Sequence, residues 1–127
     1  MTRTGRGLLG AALALTLALT LGAGCGGSSA AAGTPPPGAV VLTAQNELFV
    51  PNSISAPAGE AFVLYFDNRD TSLHNAHLVD ASGATIIPGE LFNGPSARIE
   101  NVPALTAGTY KILCDVHPNM FGELIAN

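Results

Sequence analysis

The chain has 127 residues, the length of one domain, and carries a formal net charge of −4 with only 11% charged residues. So few cations exclude a nucleic-acid-binding protein, because affinity for nucleic acid depends mainly on neutralising phosphates with Lys and Arg. The apolar fraction of 47% is raised by the first two dozen residues, and the remainder has the composition of an ordinary globular domain.

The first segment of the chain is typical of a secretory signal peptide. Arg3 and Arg6 supply a positively charged start, and an apolar run follows from Leu8 to Leu21. These 14 residues suit the hydrophobic region of a signal peptide. They are too few for a transmembrane helix, which needs about 20 apolar residues. We therefore predict that residues 1–24 are a signal peptide and that the protein is exported.

A cysteine follows the signal segment in the sequence Leu21-Gly22-Ala23-Gly24-Cys25. This stretch resembles the bacterial lipobox, although Gly22 stands where that motif usually has Leu. The resemblance implies cleavage before Cys25, a diacylglycerol on its thiol, and a protein anchored on the outer face of the cell membrane or in the periplasm. An ordinary signal peptide that leaves Cys25 unmodified is the alternative. Removal of the two signal-segment arginines changes the formal net charge to −6, which favours cationic partners.

Small residues and prolines follow Cys25 as far as Gly38. Such a composition cannot build a core, and three consecutive prolines favour an extended conformation. We predict that residues 25–38, which begin with the lipidated Cys25, are a flexible tether. Residues 39–127 are predicted to form the single folded domain.

The predicted domain has no long segment with helical periodicity, and short apolar runs alternate instead with Gly, Pro, Asn and Asp. This pattern predicts an all-β fold, a Greek-key sandwich or barrel of about seven or eight strands. Phe62, Leu64 and Phe66 would share one face of their strand, as would Tyr110 and Ile112. The predicted strands are Val40–Leu42, Ser53–Ala56, Ala61–Phe66, Asn75–Val79, Thr85–Ile87, Ala97–Val102, Thr109–Leu113 and Glu123–Ala126.

Cys114 is the only cysteine besides Cys25, so a lipidated, exported protein has no second thiol for a disulfide. An unpaired thiol in that compartment is either a liability or a working group. Cys114 follows the last predicted strand but one with the same parity as Tyr110 and Ile112, which predicts an inward-facing sulfur. Taken alone, the residue could equally be a small buried hydrophobe.

Further soft ligands cluster around this thiol. His117 and Met120 follow Cys114 directly, and a second imidazole, His74, precedes a predicted strand 40 residues upstream. Two imidazoles and a thiolate with a weak axial thioether are the ligand set of an electron-transfer copper site. We therefore predict one bound copper ion. Each residue alone has a plainer explanation, because a lone His is more often an ordinary surface or core residue and a lone Met is more often core filler.

These residues also resemble a known family. The plastocyanin-like cupredoxins have a C-terminal ligand loop similar to Gly108-Thr109-Tyr110-Lys111-Ile112-Leu113-Cys114, His117-Pro118-Asn119-Met120 and Gly122-Glu123-Leu124. Their segment that supplies the first imidazole is similar to His74-Asn75-Ala76-His77-Leu78. The short spacing Cys-x-x-His-x-x-Met is most similar to that of the amicyanins. The resemblance covers about residues 40–127, and Asp115 after the cysteine and Phe121 after the methionine depart from the family pattern.

The resemblance implies a role for each of these residues. His74 (through Nδ1), Cys114 and His117 would be the equatorial ligands of one type 1 copper, and Met120 the axial ligand. Asn75 would tie the two ligand segments together by hydrogen bonds, which holds the ligand geometry.

The resemblance further implies that His117 exposes its far edge as the route of the electron. We expect this edge to lie in an apolar patch formed by Pro118, Leu91, Phe92 and Pro95. His77 has the opposite strand parity to His74, so we expect a surface histidine there and not a ligand.

The expected function is that of a monomeric, membrane-tethered carrier of single electrons between redox protein partners, with no nucleic-acid binding. Copper handling by the same ligands, without electron transfer, is the alternative. An enzyme is not expected, because oxidase and nitrite-reductase cupredoxins use additional histidines and this chain has three in all. A binuclear copper centre would need a second Cys on the loop. A metal-free adhesive sandwich is the last alternative.

Overall fold

The computed structural model describes residues 33–127. The predictions for the signal segment, for Cys25 and for the first part of the tether lie outside these residues. Residues 33–127 contain eleven strands and no helix, which confirms the predicted all-β fold. The strands are β1 (Val40–Gln45), β2 (Leu48–Val50), β3 (Ser53–Ala56), β4 (Phe62–Asn68), β5 (Leu73–His74), β6 (His77–Val79), β7 (Thr85–Ile87), β8 (Phe92–Asn93), β9 (Ser96–Val102), β10 (Gly108–Leu113) and β11 (Phe121–Ala126).

Two larger sheets share one hydrophobic core. The four-stranded sheet has the order β2-β1-β4-β9, and the five-stranded sheet has the order β3-β11-β10-β6-β7. Both sheets are mixed, since β1 pairs with β4 and β3 pairs with β11 in parallel. The short strands β5 and β8 form a separate antiparallel pair, and that pair carries His74.

Alternating apolar residues build the core from both sheets. Phe62, Leu64 and Phe66 on β4 are buried, as are Tyr110 and Ile112 on β10, and all five belong to one cluster. The shared faces predicted for these two strands are therefore confirmed. Burial of an aromatic or aliphatic side chain of this size stabilises the fold by about 1.5–3 kcal/mol.

All eight predicted strands overlap observed ones, but β2, β5 and β8 were not predicted. These strands have only two or three residues, too few for an alternating pattern to stand out. β2 also places two apolar residues outward, because Leu48 and Val50 are exposed while Phe49 is buried. Its pairing with β1 comes from the tight turn between them.

The chain enters the domain along the four-stranded sheet. The Tyr65 hydroxyl donates a hydrogen bond to the carbonyl of Gly33. Pro35 and Pro36 are half-buried, and the amide of Ala39 donates to the Pro36 carbonyl at 3.1 Å. The described part of the predicted tether is therefore packed against the domain. None of residues 33–127 forms a helix long and apolar enough to cross a bilayer.

The turn between β8 and β9 approaches the end of β4 closely at Gly94. A Cβ at this position would overlap the carbonyl oxygens of Asn68 and Asp70, so only glycine fits. The Asn68 side chain is fully buried and donates to the carbonyls of Ser72 and Phe92, both at 2.9 Å. These contacts fix the segment that leads from β4 to His74.

One carboxylate organises the turn between β6 and β7. Asp80 Oδ1 accepts hydrogen bonds from the Ser82 amide at 2.8 Å, the Ser82 hydroxyl at 2.6 Å and the Ala84 amide at 2.9 Å. The bond from the Ser82 hydroxyl is the largest cause of a pKa for Asp80 below its ordinary value.

We expect Asp80→Asn to lower the thermal unfolding midpoint of the copper-free protein, and to lower it more at pH 7 than at pH 3. A carboxyl whose pKa is lowered by folding stabilises the fold above its unfolded-state pKa, and this contribution is lost as pH falls through the folded-state pKa. Thermal unfolding at both pH values checks this, with the exposed Glu60→Gln as the matched control. Equal midpoints for wild type and Asp80→Asn at pH 7 would contradict the prediction.

Candidate metal centre

The loop between β10 and β11 returns to its starting point within seven residues. Its chain folds through two consecutive turns, in which the His117 amide donates to the Cys114 carbonyl at 3.4 Å and the Met120 amide to the His117 carbonyl at 2.9 Å. The Cys114 amide then donates to the Met120 carbonyl at 3.1 Å. The loop is closed by its own backbone, so Cys114, His117 and Met120 are held near one another.

His74 reaches the same region from the β5–β8 pair. It is the last residue of β5 and is fully buried. Its Nε2 atom lies 3.0 Å from Asp70 Oδ2. Donation of the Nε2 proton to this carboxylate selects the tautomer in which Nδ1 carries a free lone pair. Asp70 therefore prepares the nitrogen that faces Cys114.

Three donor atoms converge at this point. Cys114 Sγ lies 3.6 Å from His74 Nδ1 and 3.5 Å from His117 Nδ1. A metal ion bonds an imidazole nitrogen at about 2.0 Å and a thiolate sulfur at about 2.3 Å, so one ion can bind all three donors. Among residues 33–127, these three residues are the only His, Cys, Asp and Glu group with such spacing.

Comparison with known families identifies the domain. The chain matches the cupredoxin-like domain family over residues 11–126. It belongs to the cupredoxin family. This match confirms the resemblance found in the sequence, and the sandwich of mixed sheets is the fold that the resemblance implied.

Solved structures of similar fold include auracyanins and amicyanins. Auracyanin A of Chloroflexus aurantiacus, described as a "blue" copper protein, is 21% identical, with a TM-score of 0.63 over 70% of this chain and 98% of its own. Amicyanin of Paracoccus versutus is 24% identical, with a TM-score of 0.61 over 76% of this chain and 89% of its own. The auracyanin of Roseiflexus castenholzii is 16% identical, with a TM-score of 0.63 over 71% and 97%. No curated protein matches the chain significantly.

This cupredoxin has the donor set of one type 1 copper ion. Two imidazole nitrogens and a thiolate suit both copper oxidation states, and a methionine is the usual weak fourth ligand. Met120 is 1% exposed and lies at the closing end of the loop, opposite Cys114. The chemistry of these residues therefore fits the group, and the predicted cofactor is confirmed.

The two ligand-bearing segments of the cupredoxin are joined by Asn75. Its side-chain oxygen accepts the Asp115 amide at 2.9 Å, and its side-chain nitrogen donates to Asp115 Oδ2 at 2.8 Å and to the Pro88 carbonyl at 2.9 Å. Asn75 is completely buried, so the protein shields these bonds from water on the Asn75 side, although the Asp115 side chain is 46% exposed. They link the residue after His74 directly to the residue after Cys114.

His77 lies outside the donor cluster but contacts the same network. Its Nδ1 lies 2.8 Å from Asp115 Oδ1 and its Nε2 lies 2.9 Å from Thr85 Oγ1. The hydrogen bond with His77 is the largest cause of a pKa for Asp115 below its ordinary value, and partial burial opposes it. In the sequence, Asp115 was notable only as a departure from the family pattern. In the structure it forms hydrogen bonds with both Asn75 and His77.

Asp70 was missed by the sequence analysis. Its side chain is 16% exposed, and partial burial raises its pKa. The amides of Glu47 and Asn46, with His74, more than offset this effect, so that the pKa of Asp70 is lowered. Its position four residues before His74, inside a polar turn, was the available signal.

Phe92 does not belong to the apolar surface patch that was expected around His117. Phe92 is 5% exposed and packs edge-on against Phe66, with ring centroids 5.6 Å apart. The Arg98 guanidinium lies 4.4 Å from the Phe92 ring centroid and covers it. Leu91, Pro95 and Pro118 are exposed.

We expect Asn75→Ala to weaken copper binding by about 10- to 100-fold, because outer-shell partners contribute that much to metal affinity. Competition with a copper chelator measures the change. Asn101→Ala, at an exposed position of β9, removes the same side chain elsewhere and should leave the affinity unchanged. Equal affinities of the two variants would contradict the role of Asn75.

Proposed function

We propose that this cupredoxin carries single electrons between redox protein partners outside the cytoplasm, with one copper ion held by His74, Cys114, His117 and Met120. The convergence of Cys114 Sγ with two Nδ1 atoms at 3.5–3.6 Å is the observation that carries the proposal. When bound, copper supplies a one-electron couple between Cu(I) and Cu(II).

The side chains around the donors support a carrier because hydrogen bonds within the protein hold them in place. The hydrogen bond to Asp70 holds the His74 ring, and the closed loop holds Cys114 and His117. A donor set that moves little between oxidation states requires little reorganisation, which favours fast electron exchange.

The exposure of the donors also supports this function. His74 is 0% and Cys114 is 4% exposed, which excludes water from the inner side of the site. The His117 side chain is 25% exposed. Its ring joins Cys114 to the surface, so we assign it as the route by which the electron enters and leaves.

We propose a carrier and not an enzyme because the chain has no further histidine available for a second site. Of the three histidines in the sequence, two belong to the donor set. The third, His77, is engaged with Asp115 and Thr85.

The spectrum of the soluble domain with Cu(II) tests this proposal. We expect an intense thiolate-to-copper charge-transfer band that is absent in Cys114→Ser, since the thiolate is the donor of that transition. His117→Gly should lose or shift the band and regain it with free imidazole, while His77→Ala should retain it. A colourless complex, or a band that survives Cys114→Ser, would overturn the proposal. A band without reversible reduction would favour copper handling.

We further propose that the protein is a monomeric lipoprotein, with the signal segment 1–24 removed and Cys25 anchored in a membrane. The lipobox-like sequence supports the anchor. The contact between Tyr65 and Gly33 supports a link between the anchor and the domain, because it holds the chain eight residues after Cys25.

We expect the wild-type protein to sediment with membranes and Cys25→Ala to be released or left unprocessed. Diacylglycerol provides two acyl chains, which suffice for stable attachment where one chain does not. Membrane fractionation and the mass of the mature N-terminus measure the outcome. The lipobox assignment is wrong if processed wild type and Cys25→Ala are equally soluble.

A further inference from the structure

We propose that Glu47 and the apolar groove beside it form a docking surface for a protein that presents a Lys or Arg next to apolar side chains. The proposal rests on the proposed electron-carrier function, since it names the kind of partner that approaches His117.

The β1–β2 turn has an unusual backbone that is held from outside. Asn46 and Glu47 have φ angles of 55° and 57°, in the left-handed region that is uncommon for residues other than glycine. Asp70 accepts the amide of Asn46 through Oδ1 at 2.8 Å and the amide of Glu47 through Oδ2 at 2.9 Å. The carboxylate that orients His74 therefore also fixes this turn.

The fixed turn places a negative charge at the outer edge of a donor imidazole. Glu47 Oε1 lies 3.7 Å from His117 Nε2, and the Glu47 side chain is 63% exposed. Since His117 Nδ1 faces Cys114, Nε2 is on the outward edge of the ring. A partner that reaches this edge must contact the Glu47 carboxylate.

An apolar groove begins at Leu48, the residue after Glu47, and lies between β2 and Asn119 of the donor loop. Leu48, Val50 and Phe121 line it with exposures of 57%, 47% and 66%, and Asn119 also lines it. The groove has a volume of about 350 Å³. Contiguous exposed apolar side chains with a polar rim are typical of interaction sites.

The charges of the described residues select a cationic occupant. Residues 33–127 contain nine acidic residues and three cations, and each cation lies next to an acidic side chain. Arg69 bonds Asp67 at 2.8 Å, Arg98 lies 3.8 Å from Glu90, and Lys111 is opposite Glu123 on the neighbouring strand. The Glu47 carboxylate is therefore available to a Lys or Arg of a partner protein.

A second copy of this chain fits the surface less well than a cationic partner. A symmetric dimer buries the same patch from both molecules, so it would bring two Glu47 carboxylates to one contact. Like charges at a contact oppose association, whereas a Lys or Arg beside apolar side chains satisfies both the carboxylate and the groove.

The test uses the copper-loaded, reduced protein and two small oxidants of opposite charge. In each reaction one electron leaves the protein, so that Cu(I) becomes Cu(II), while tris(phenanthroline)cobalt(III) is reduced to cobalt(II) or hexacyanoferrate(III) to hexacyanoferrate(II). No proton or atom is transferred. The cobalt complex is a cation with apolar faces, which makes it a probe of the proposed partner chemistry, and hexacyanoferrate is its anionic counterpart.

Glu47→Gln should slow oxidation by the cobalt complex about three- to tenfold at low ionic strength and accelerate oxidation by hexacyanoferrate. Glu60→Gln is the control because it removes the same charge before β4, at the strand end opposite Asn68, and should change both rates much less. Phe121→Ala should slow only the cobalt reaction. The visible spectrum of each variant verifies an intact site, and its reduction potential is used to correct both rates for the change in driving force.

Equal responses of Glu47→Gln and Glu60→Gln would overturn the docking surface while leaving electron transfer intact, since only the total charge would then matter. Sedimentation of the wild type as a dimer that Phe121→Ala dissociates would assign the groove to a second copy and also overturn it. If the wild type exchanges electrons with neither oxidant, the proposed function itself is wrong and the docking surface fails with it.

Discussion

His74 and Cys114 are 40 residues apart in sequence, and their donor atoms meet because the chain is joined behind them at Asn75 and Asp115. The amide-to-side-chain hydrogen bond between these residues is completely buried on the Asn75 side, where a broken bond would leave an unsatisfied polar group. Together with the pairing of Leu113 with His77, it holds the β5–β8 pair beside the end of β10. The donor spacing of 3.5–3.6 Å therefore depends on a contact that involves no ligand side chain.

Two carboxylates connect the donor site to other parts of the fold through hydrogen bonds. Asp115 continues the network through His77 to Thr85 on β7, and Asp70 continues it through His74 to the β1–β2 turn. Both carboxylates have lowered pKa values, because neighbouring donors favour their charged forms. The site is thus surrounded by fixed negative charge, which stabilises the more highly charged oxidation state of a bound metal.

The sequence predicted the parts of the molecule that depend on short-range patterns. Alternation placed Phe62, Leu64 and Phe66 on one buried face, and the clustering of His117 and Met120 after Cys114 indicated a metal site. Contacts between distant segments were not predictable in this way. The hydrogen bond from the Asn46 amide to Asp70 joins residues 24 positions apart. It requires a left-handed backbone at Asn46 that no local sequence motif predicts.

The error at Phe92 has a similar cause. Phe92 was expected in the apolar patch around His117, but tertiary packing buries it, since its ring contacts both Phe66 and the Arg98 guanidinium. Tertiary contacts also explain why the strands β5 and β8 were not predicted. They exist because Leu73 and His74 pair across the fold with Asn93 and Phe92, and not because of any pattern of their own.

Because Gly94 fits tightly against its neighbours, the geometry of the site also constrains a residue that supplies no donor atom. Gly94 is twenty residues from the nearest ligand in sequence, yet any side chain there would push against the carbonyls of Asn68 and Asp70. Asp70 would carry that displacement to His74 on one side and to Glu47 on the other. A side chain at position 94 would therefore require the ring of His74 and the turn at Glu47 to move with it.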